Sequence, residues 1–297
     1  MKRILFIINP NSAKRNKARI SKAIKNGINH SIYDAKVVYT ESAGHAIILS
    51  KDAVTDKIDI IVAVGGDGTV NEVASQMIHS SSILGIVPLG SGNGLARHLG
   101  ISLNIERAIE LINIQNTLLI DTASVNAKPF ISIAGVGFDA FVADKFSKGT
   151  RRGFLGYFQI IANEYLHYIP EKYKITFEDG QIITEKALFI AFANSNQFGY
   201  DTTIAPNATL VDGLLDVCIV KKPQIYRIPL VASLLLLRRV DFSPLVKIVN
   251  AKSLVVSCKQ DTIVNIDGEA INFGKELDIK IIPLSLKIII NRNVSKV

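Results

Sequence analysis

Ile58-Asp59-Ile60-Ile61-Val62-Ala63-Val64-Gly65-Gly66-Asp67-Gly68-Thr69 is the stretch on which the fold turns. Its apolar run, Ile58–Val64, reads as a strand buried on both faces, as the inner strands of parallel sheets do. Three glycines follow within four residues, and a helical pattern then runs over Thr69–Ile78. Buried strand, glycine turn and helix in that order make one repeat of a doubly wound α/β domain, whose ligands collect where strand ends meet helix starts.

The alternation extends to both sides. Strands are expected at Arg3–Ile8, Ala35–Tyr39 and Leu84–Val87, and helices at Lys17–Ile28, Gly44–Val54 and Ile105–Ile112. From about residue 117 strands dominate: Thr117–Val125, Pro129–Ala134, Tyr173–Phe177, Ile182–Asn194, Leu214–Val220, Ser253–Ser257 and Thr262–Ile266. Turns such as Glu178-Asp179-Gly180 and Val211-Asp212-Gly213 separate them, and helical inserts fall near Phe154–His167 and Ile225–Val240. Many strands at short spacing predict a sandwich-like or open-barrel domain. The fold class is therefore an α/β first domain with a parallel sheet and glycine-rich nucleotide loops, residues 1–122, followed by a mainly β, sandwich-like second domain, residues 123–285. The cleft between them is the expected substrate site.

Composition narrows the partners without choosing one. The 297 residues, 48% hydrophobic and 20% charged, describe a folded chain long enough for two domains. The longest uncharged apolar run, Ile228–Leu237, contains Pro229 and is about half of the ~20 residues that span a bilayer. The start, Lys2-Arg3-Ile4-Leu5-Phe6-Ile7-Ile8, leads into Asn9-Pro10-Asn11-Ser12 with no small-residue cleavage site, so it reads as a first strand and a cytoplasmic location is expected. Cys218 and Cys258 sit in strand-like segments and read as buried reduced thiols. A net charge of +8 suits a nucleotide, a nucleic acid or an anionic membrane. The basic residues are dispersed and carry no aromatic-basic RNA motif, which argues against nucleic acid.

Two glycine-rich turns carry the chemistry. In Gly65-Gly66-Asp67-Gly68-Thr69 the backbone can turn sharply and approach a ligand closely, and the helix start favours an anion such as phosphate. A carboxylate among those amides makes sense if Mg²⁺ bridges Asp67 to the phosphates. A plain strand-to-helix turn is the alternative, weakened by the strand context and the embedded Asp. The second turn, Pro88-Leu89-Gly90-Ser91-Gly92-Asn93-Gly94-Leu95-Ala96-Arg97, is expected at the same sheet edge, with Ser91 and Asn93 as donors and Arg97 as a charge. A third element after the first strand, Asn9-Pro10-Asn11-Ser12-Ala13-Lys14-Arg15, offers Lys14 or Arg15 to neutralise charge during phosphoryl transfer; taken singly, each reads as a solvated loop residue.

Taken together, Asn9-Pro10-x-Ser12, Gly65-Gly66-Asp67-Gly68-Thr69-Val70-Asn71-Glu72 and Pro88-Leu89-Gly90-Ser91-Gly92-Asn93 resemble the diacylglycerol kinase catalytic-domain family, which includes bacterial soluble lipid kinases and the sphingosine and ceramide kinases. Ile133-Ala134-Gly135-Val136-Gly137-Phe138-Asp139, Val211-Asp212-Gly213-Leu214-Leu215-Asp216 and Asp267-Gly268-Glu269 agree, so the resemblance covers Asn9 to Glu269. It implies ATP and Mg²⁺, a nucleotide in the first domain, a lipid alcohol received near the cleft, and a C-terminal strand at about residues 286–292 that returns to the first domain. By motif position Thr40, Gly65, Gly66, Asp67, Gly68, Thr69, Val70, Asn71 and Ser91 match nucleotide contacts; Asn9, Ser12, Lys14, Gly90 and Asn93 join them through the loops that carry them. Glu269 matches the proton acceptor, Asp67 and Asp121 the other catalytic carboxylates, and Thr209, Asp212 and the Leu214 carbonyl a structural metal site. An ordinary Asp-Gly turn is the alternative for that last set. The chain departs from many bacterial diacylglycerol kinases in having Gly94 where they have Asp, which looks more like the sphingosine kinase side and puts diacylglycerol as substrate in question; Ser91 stands for a frequent Thr.

A lipid kinase of this kind needs apolar surface. Phe138, Phe141, Phe154, Tyr157, Phe158 and Ile228–Leu237 are candidates, beside Lys145, Lys148, Arg151 and Arg152, which suit an anionic, peripherally contacted bilayer; core packing and a solvated charge run are the plainer readings. Oligomeric state is left open, a homodimer included. Two rivals stand beside the lipid kinase. An NAD or sugar-phosphate kinase shares the Gly-Gly-Asp-Gly turn but not the Pro-x-Gly-Ser-Gly-Asn loop or the Asp-Gly-Glu turn. A catalytically silent nucleotide- or lipid-binding regulator is opposed by the presence of all three carboxylates.

Overall fold

The chain opens on an apolar strand, β1 (Lys2–Ile8), whose Phe6, Ile7 and Ile8 are fully buried. After it come α1 (Pro10–Ala13), α2 (Lys17–Gly27), β2 (Tyr33–Tyr39), α3 (His45–Thr55), β3 (Ile60–Gly65), α4 (Asp67–Ser75), β4 (Ile83–Pro88), α5 (Gly94–His98), α6 (Ile105–Ile114) and β5 (Thr117–Val125). The computed structural model describes residues 1–13, 17–149, 153–199 and 202–291. Two units emerge, Met1–Thr122 with the residues from Pro283 on, and Ala123–Ile282.

In the first unit the strands run in the order β2-β1-β3-β4 and every neighbouring pair is parallel. β3 is buried at every position, which is why its sequence does not alternate. The helices cover such a sheet with one apolar stripe each. In α6 that stripe is Ile105, Ala108, Ile109 and Ile112, and Asn104 caps the helix by accepting the Arg107 N–H at 3.0 Å.

The second unit continues with β6 (Lys128–Phe130), β7 (Ile133–Gly137), α7 (Phe138–Lys148), α8 (Phe154–Glu164), β8 (Glu171–Phe177), β9 (Ile182–Ala187), β10 (Phe189–Ala193), β11 (Gln197–Gly199), β12 (Thr202–Thr203), β13 (Leu215–Val220), α9 (Ile228–Leu236), β14 (Val246–Ala251), β15 (Ser253–Ser257), β16 (Thr262–Ile266), β17 (Glu269–Phe273) and β18 (Glu276–Ile289). Six strands form an antiparallel sheet in the order β14-β13-β10-β7-β16-β17, and the first half of β18 pairs with β15, which is followed by β8 and then β9, in a second antiparallel layer. Side chains of both layers, among them Phe130, Val136, Ile175, Phe192 and Ile279, fill one core. That is a sandwich.

Local readings shift where tertiary partners decide. Ile182–Asn194 is not one strand: it breaks at Leu188, whose N–H goes to Val220 O and whose carbonyl accepts from Phe138 N. β9 thus pairs with β8, and β10 with β7 and β13. Pro129–Ala134 likewise divides into β6 and β7. The helix α7 was not expected; Gly137, at φ 92°, turns the chain into it. The C-terminal strand begins ten residues before 286, at Glu276, and kinks at Leu284, with φ 43°. Past the kink, Ile288 pairs in parallel with Leu84 of β4. Cys218 and Cys258 are both free and buried. Burial pushes the Cys258 thiol up to about 11. Among the described residues no helix is long and apolar enough to cross a membrane.

Candidate nucleotide site and acceptor turn

The loops that leave the C-terminal ends of the parallel strands are stitched side by side. Thr40 N–H donates to Ile8 O (2.9 Å), Asn9 N–H to Val64 O (3.0 Å) and Leu89 N–H to Gly65 O (2.7 Å). The two glycine turns touch. A Cβ on Gly90 would lie 2.6 Å from Gly66 Cα and 2.8 Å from Asn93 Oδ1, so the contact exists only because both residues are glycine. Asn93 knits the second loop, accepting from Gly90 N–H (2.9 Å) and donating through Nδ2 to Gly90 O (2.7 Å), while its own N–H donates to Asp67 Oδ2 (2.8 Å). Asn9 Nδ2 reaches Thr69 Oγ1 at 3.1 Å.

Asp67 is the first residue of α4, two residues earlier than the sequence pattern placed the helix. Its carboxylate therefore stands at the positive end of the helix dipole. Asn9, Gly66, Asp67, Thr69, Gly90 and Asn93 come together, with Thr40 at the next strand end. Ser91 is exposed at its loop tip, and Ser12 lies in α1. Val70 turns its side chain into the core and gives its N–H to Gly66 O, and Asn71 is buried one residue on. Lys14 and Arg15 lie outside the described residues. Glu72, to which the sequence assigned no role, accepts the Gly44 N–H at 3.1 Å and so ties the loop after β2 to α4. Backbone amides and polar side chains around a carboxylate, at the C-terminal edge of a parallel sheet, suit a polyphosphate with a divalent cation.

Asp121 has no exposed surface, and its Oδ1 accepts the Leu284 N–H at 2.7 Å. It thereby fixes the kink of β18 together with the Thr122 and Ser285 hydroxyls, 2.8 Å apart.

In the second unit, Asp267 (φ 47°) and Gly268 (φ 93°) form a two-residue hairpin turn between β16 and β17. Glu269 follows, exposed, as the first residue of β17. The turn is gripped from below: the Asp267 carboxylate accepts the N–H groups of Ile131 (2.8 Å), Ser132 and Ile133 (both 2.9 Å). That grip is what separates β6 from β7.

For the third set, Asp212 is exposed and accepts the Leu214 N–H at 3.0 Å. Thr209 Oγ1 is buried with no hydrogen-bond partner among the described residues. An orphaned hydroxyl, a carboxylate and a main-chain carbonyl are all hard oxygen donors, so the set fits a hard cation. Nearby Asp216 is pushed up to about 6, first by burial and then by the charge of Asp212.

The apolar candidates divide. Phe138, Phe141 and Tyr157 pack with Val142, Leu188 and Tyr168 in a cluster under α7 and α8. By contrast Leu155 (80% exposed), Phe158, Leu166, Ile169, Ile225, Tyr226 (72%), Leu230, Leu236, Leu237 and Phe242 face solvent. Lys145 pairs with Glu164 and Lys148 with Asp144; Arg151, Arg152 and the Phe154 side chain lie outside the description.

Against known families, the diacylglycerol kinase catalytic domain matches residues 3–125, and the YegS C-terminal NAD kinase beta sandwich-like domain matches residues 132–290. The chain belongs to the diacylglycerol kinase catalytic-domain family. Members of this family are kinases that phosphorylate an alcohol group. A diacylglycerol kinase of Bacillus subtilis (strain 168) is 29% identical over 91% of this chain and 90% of its own length. One of Staphylococcus carnosus (strain TM300) is 25% identical over 90% and 89%. A solved diacylglycerol kinase structure from Bacillus anthracis str. Sterne shares the fold, with a TM-score of 0.73 at 21% identity over 99% of this chain and 98% of its own.

Proposed function

We propose that this member of the diacylglycerol kinase family is an ATP-dependent lipid kinase that acts on a lipid alcohol at a membrane surface. The observation that carries the proposal is the interlock of the two glycine loops around Asp67. ATP would lie against those loops, with Asn9, Ser12, Lys14, Thr40, Ser91 and the start of α4 as its contacts. Asp67 would hold Mg²⁺, which offsets charge on the phosphate oxygens. Glu269 takes the hydroxyl proton as the lipid oxygen bonds to the γ-phosphorus; the bond from that phosphorus to the bridging oxygen breaks, and ADP leaves. Asp121, whose first oxygen holds the β18 kink, has the part of orienting groups around the metal. Thr209, Asp212 and the Leu214 carbonyl would hold a second cation that stiffens their loop and takes no part in transfer.

Membrane action is supported by the exposed apolar residues of α8 and α9. Lys222 Nζ donates to Tyr168 O at 2.8 Å and Tyr165 to Pro223 O, so the end of α8 is tied to the start of the α9 segment. Lys221–Val240 contains five basic residues and no acidic one, the charge pattern that suits an anionic bilayer. The reading makes the enzyme cytoplasmic and peripherally bound. The relatives' names favour diacylglycerol, while Gly94 at the start of α5 keeps sphingosine-like alcohols in the panel.

The test is transfer from labelled ATP, with Mg²⁺, to diacylglycerol, monoacylglycerol, sphingosine or ceramide in phosphatidylglycerol-containing vesicles, with NAD as a soluble acceptor. Label in one extracted lipid supports the proposal. Label in NAD alone, or in nothing, overturns it.

A further inference from the structure

Asp139 stands at the first turn of α7 with no part yet in the reaction. Its Oδ2 accepts from Asn265 Nδ2 at 2.8 Å, and Tyr157 reaches its Oδ1 at 3.4 Å. Burial raises its carboxyl above the usual aspartate range, while the Asn265 and Tyr157 bonds oppose that rise. A carboxylate in such surroundings is costly unless it holds something.

What it holds is visible through Asn265. This residue is buried in β16, opposite Gly135 of β7 and Ala270 of β17. Its amide is used at both ends: Nδ2 donates to Asp139, and Oδ1 accepts the Gly268 N–H at 2.9 Å. Turning the amide over would break both bonds. The Asp139 carboxylate thus fixes which end of Asn265 faces the turn. Gly135 makes the arrangement fit, since a Cβ there would lie 2.9 Å from Asp139 Oδ2.

We infer that Asp139 and Asn265 are positioning residues for Glu269, acting through the Gly268 amide. The inference rests on the reading of Glu269 as proton acceptor. Asp267 anchors one end of the turn to residues 131–133, and the relay from Asp139 anchors the other. Between the two anchors the exposed Glu269 has a fixed point of departure, as a general base within hydrogen-bond reach of its proton requires.

The experiment is a kinetic double-mutant cycle on the full chain, using the best acceptor of the vesicle panel. Asn265→Ala should lower kcat about 10–100-fold with KM for ATP within about twofold, and its effect should vanish in the Glu269→Gln background. Asp139→Ala should behave the same way and supplies the cycle if Asn265→Ala does not fold. Asp139→Asn, which keeps an oxygen for Asn265, should stay within about threefold of wild type. Hydrogen exchange at the Gly268 amide should quicken at least about tenfold in Asn265→Ala, with the amides of 131–133 still protected. Multiplicative effects of Asn265→Ala and Glu269→Gln, unchanged Gly268 exchange, or an Asp139→Asn variant as slow as Asp139→Ala each overturn the inference while leaving Glu269 as the base. A Glu269→Gln variant at full rate instead overturns the base, and the relay with it.

Discussion

Asp67 and Glu269 are held by opposite means. Around Asp67 the first unit relies largely on main chain: glycines in contact, amides at strand ends and a helix start, with the Asp67 carboxylate accepting the Asn93 N–H and Asn9 reaching Thr69. Around Glu269 the second unit uses side chains: Asp267 on the three amides of residues 131–133 and Asn265 on a fourth, with Asp139 behind it from a distant part of the sequence. The first kind of site tolerates no added atoms. The second tolerates no lost hydrogen bonds.

The sharpest test removes a charge and leaves the geometry. Asp67→Asn keeps an oxygen for the Asn93 N–H, so the loops should stay interlocked while turnover falls about 10³-fold. Activity within about threefold of wild type, together with unchanged Mg²⁺ dependence, would remove Asp67 from the reaction. On the other side, Glu269→Gln should lower kcat about 10²–10³-fold and leave ATP binding intact. Full recovery of rate at high ATP would make Glu269 a nucleotide or metal ligand. A smaller loss is expected from Gly90→Ala, which adds one methyl group against Gly66. KM for ATP should rise about tenfold or more, and an unchanged KM would separate the loop contact from nucleotide binding. Smallest is Asp212→Ala. Mg²⁺ should raise the melting temperature of the wild type by a few degrees, about 2–4 °C per kcal/mol for a chain of this size, and should do nothing for the variant. Equal melting curves with and without chelator in the wild type would leave Asp212 as a turn residue.

The same contrast explains what the sequence could disclose. Loops built from main chain advertise themselves, because only glycine fits at Gly66 and Gly90, and a buried strand such as β3 is a run of apolar letters. The relay behind Glu269 is silent. Asn265 matters only because β16 lies against β7 in the register that sets it opposite Gly135, and no local pattern reports register. Asp139 stood inside a recognised motif without a role for the same reason. The split at Leu188 and the helix after Gly137 were missed because one explains the other: Leu188 O is where α7 begins. Asp121, matched by motif position to a catalytic carboxylate, has no exposed surface, a burial that the sequence did not announce because its partner Leu284 comes from the far end of the chain.

The kinked strand β18 also bears on how the chain is made. Translation produces β4 early and the partner for its open edge late, with all of Ala123–Ile282 emerging in between. At about 5–20 residues per second that interval is on the order of ten seconds or more. Throughout it the first sheet ends on an unpaired row of amides and carbonyls, the kind of edge that recruits other chains. The nascent chain therefore needs either prompt completion or a chaperone over that edge, and a ribosome stalled short of Pro283 releases a product whose second unit is nearly whole and whose first is primed to aggregate.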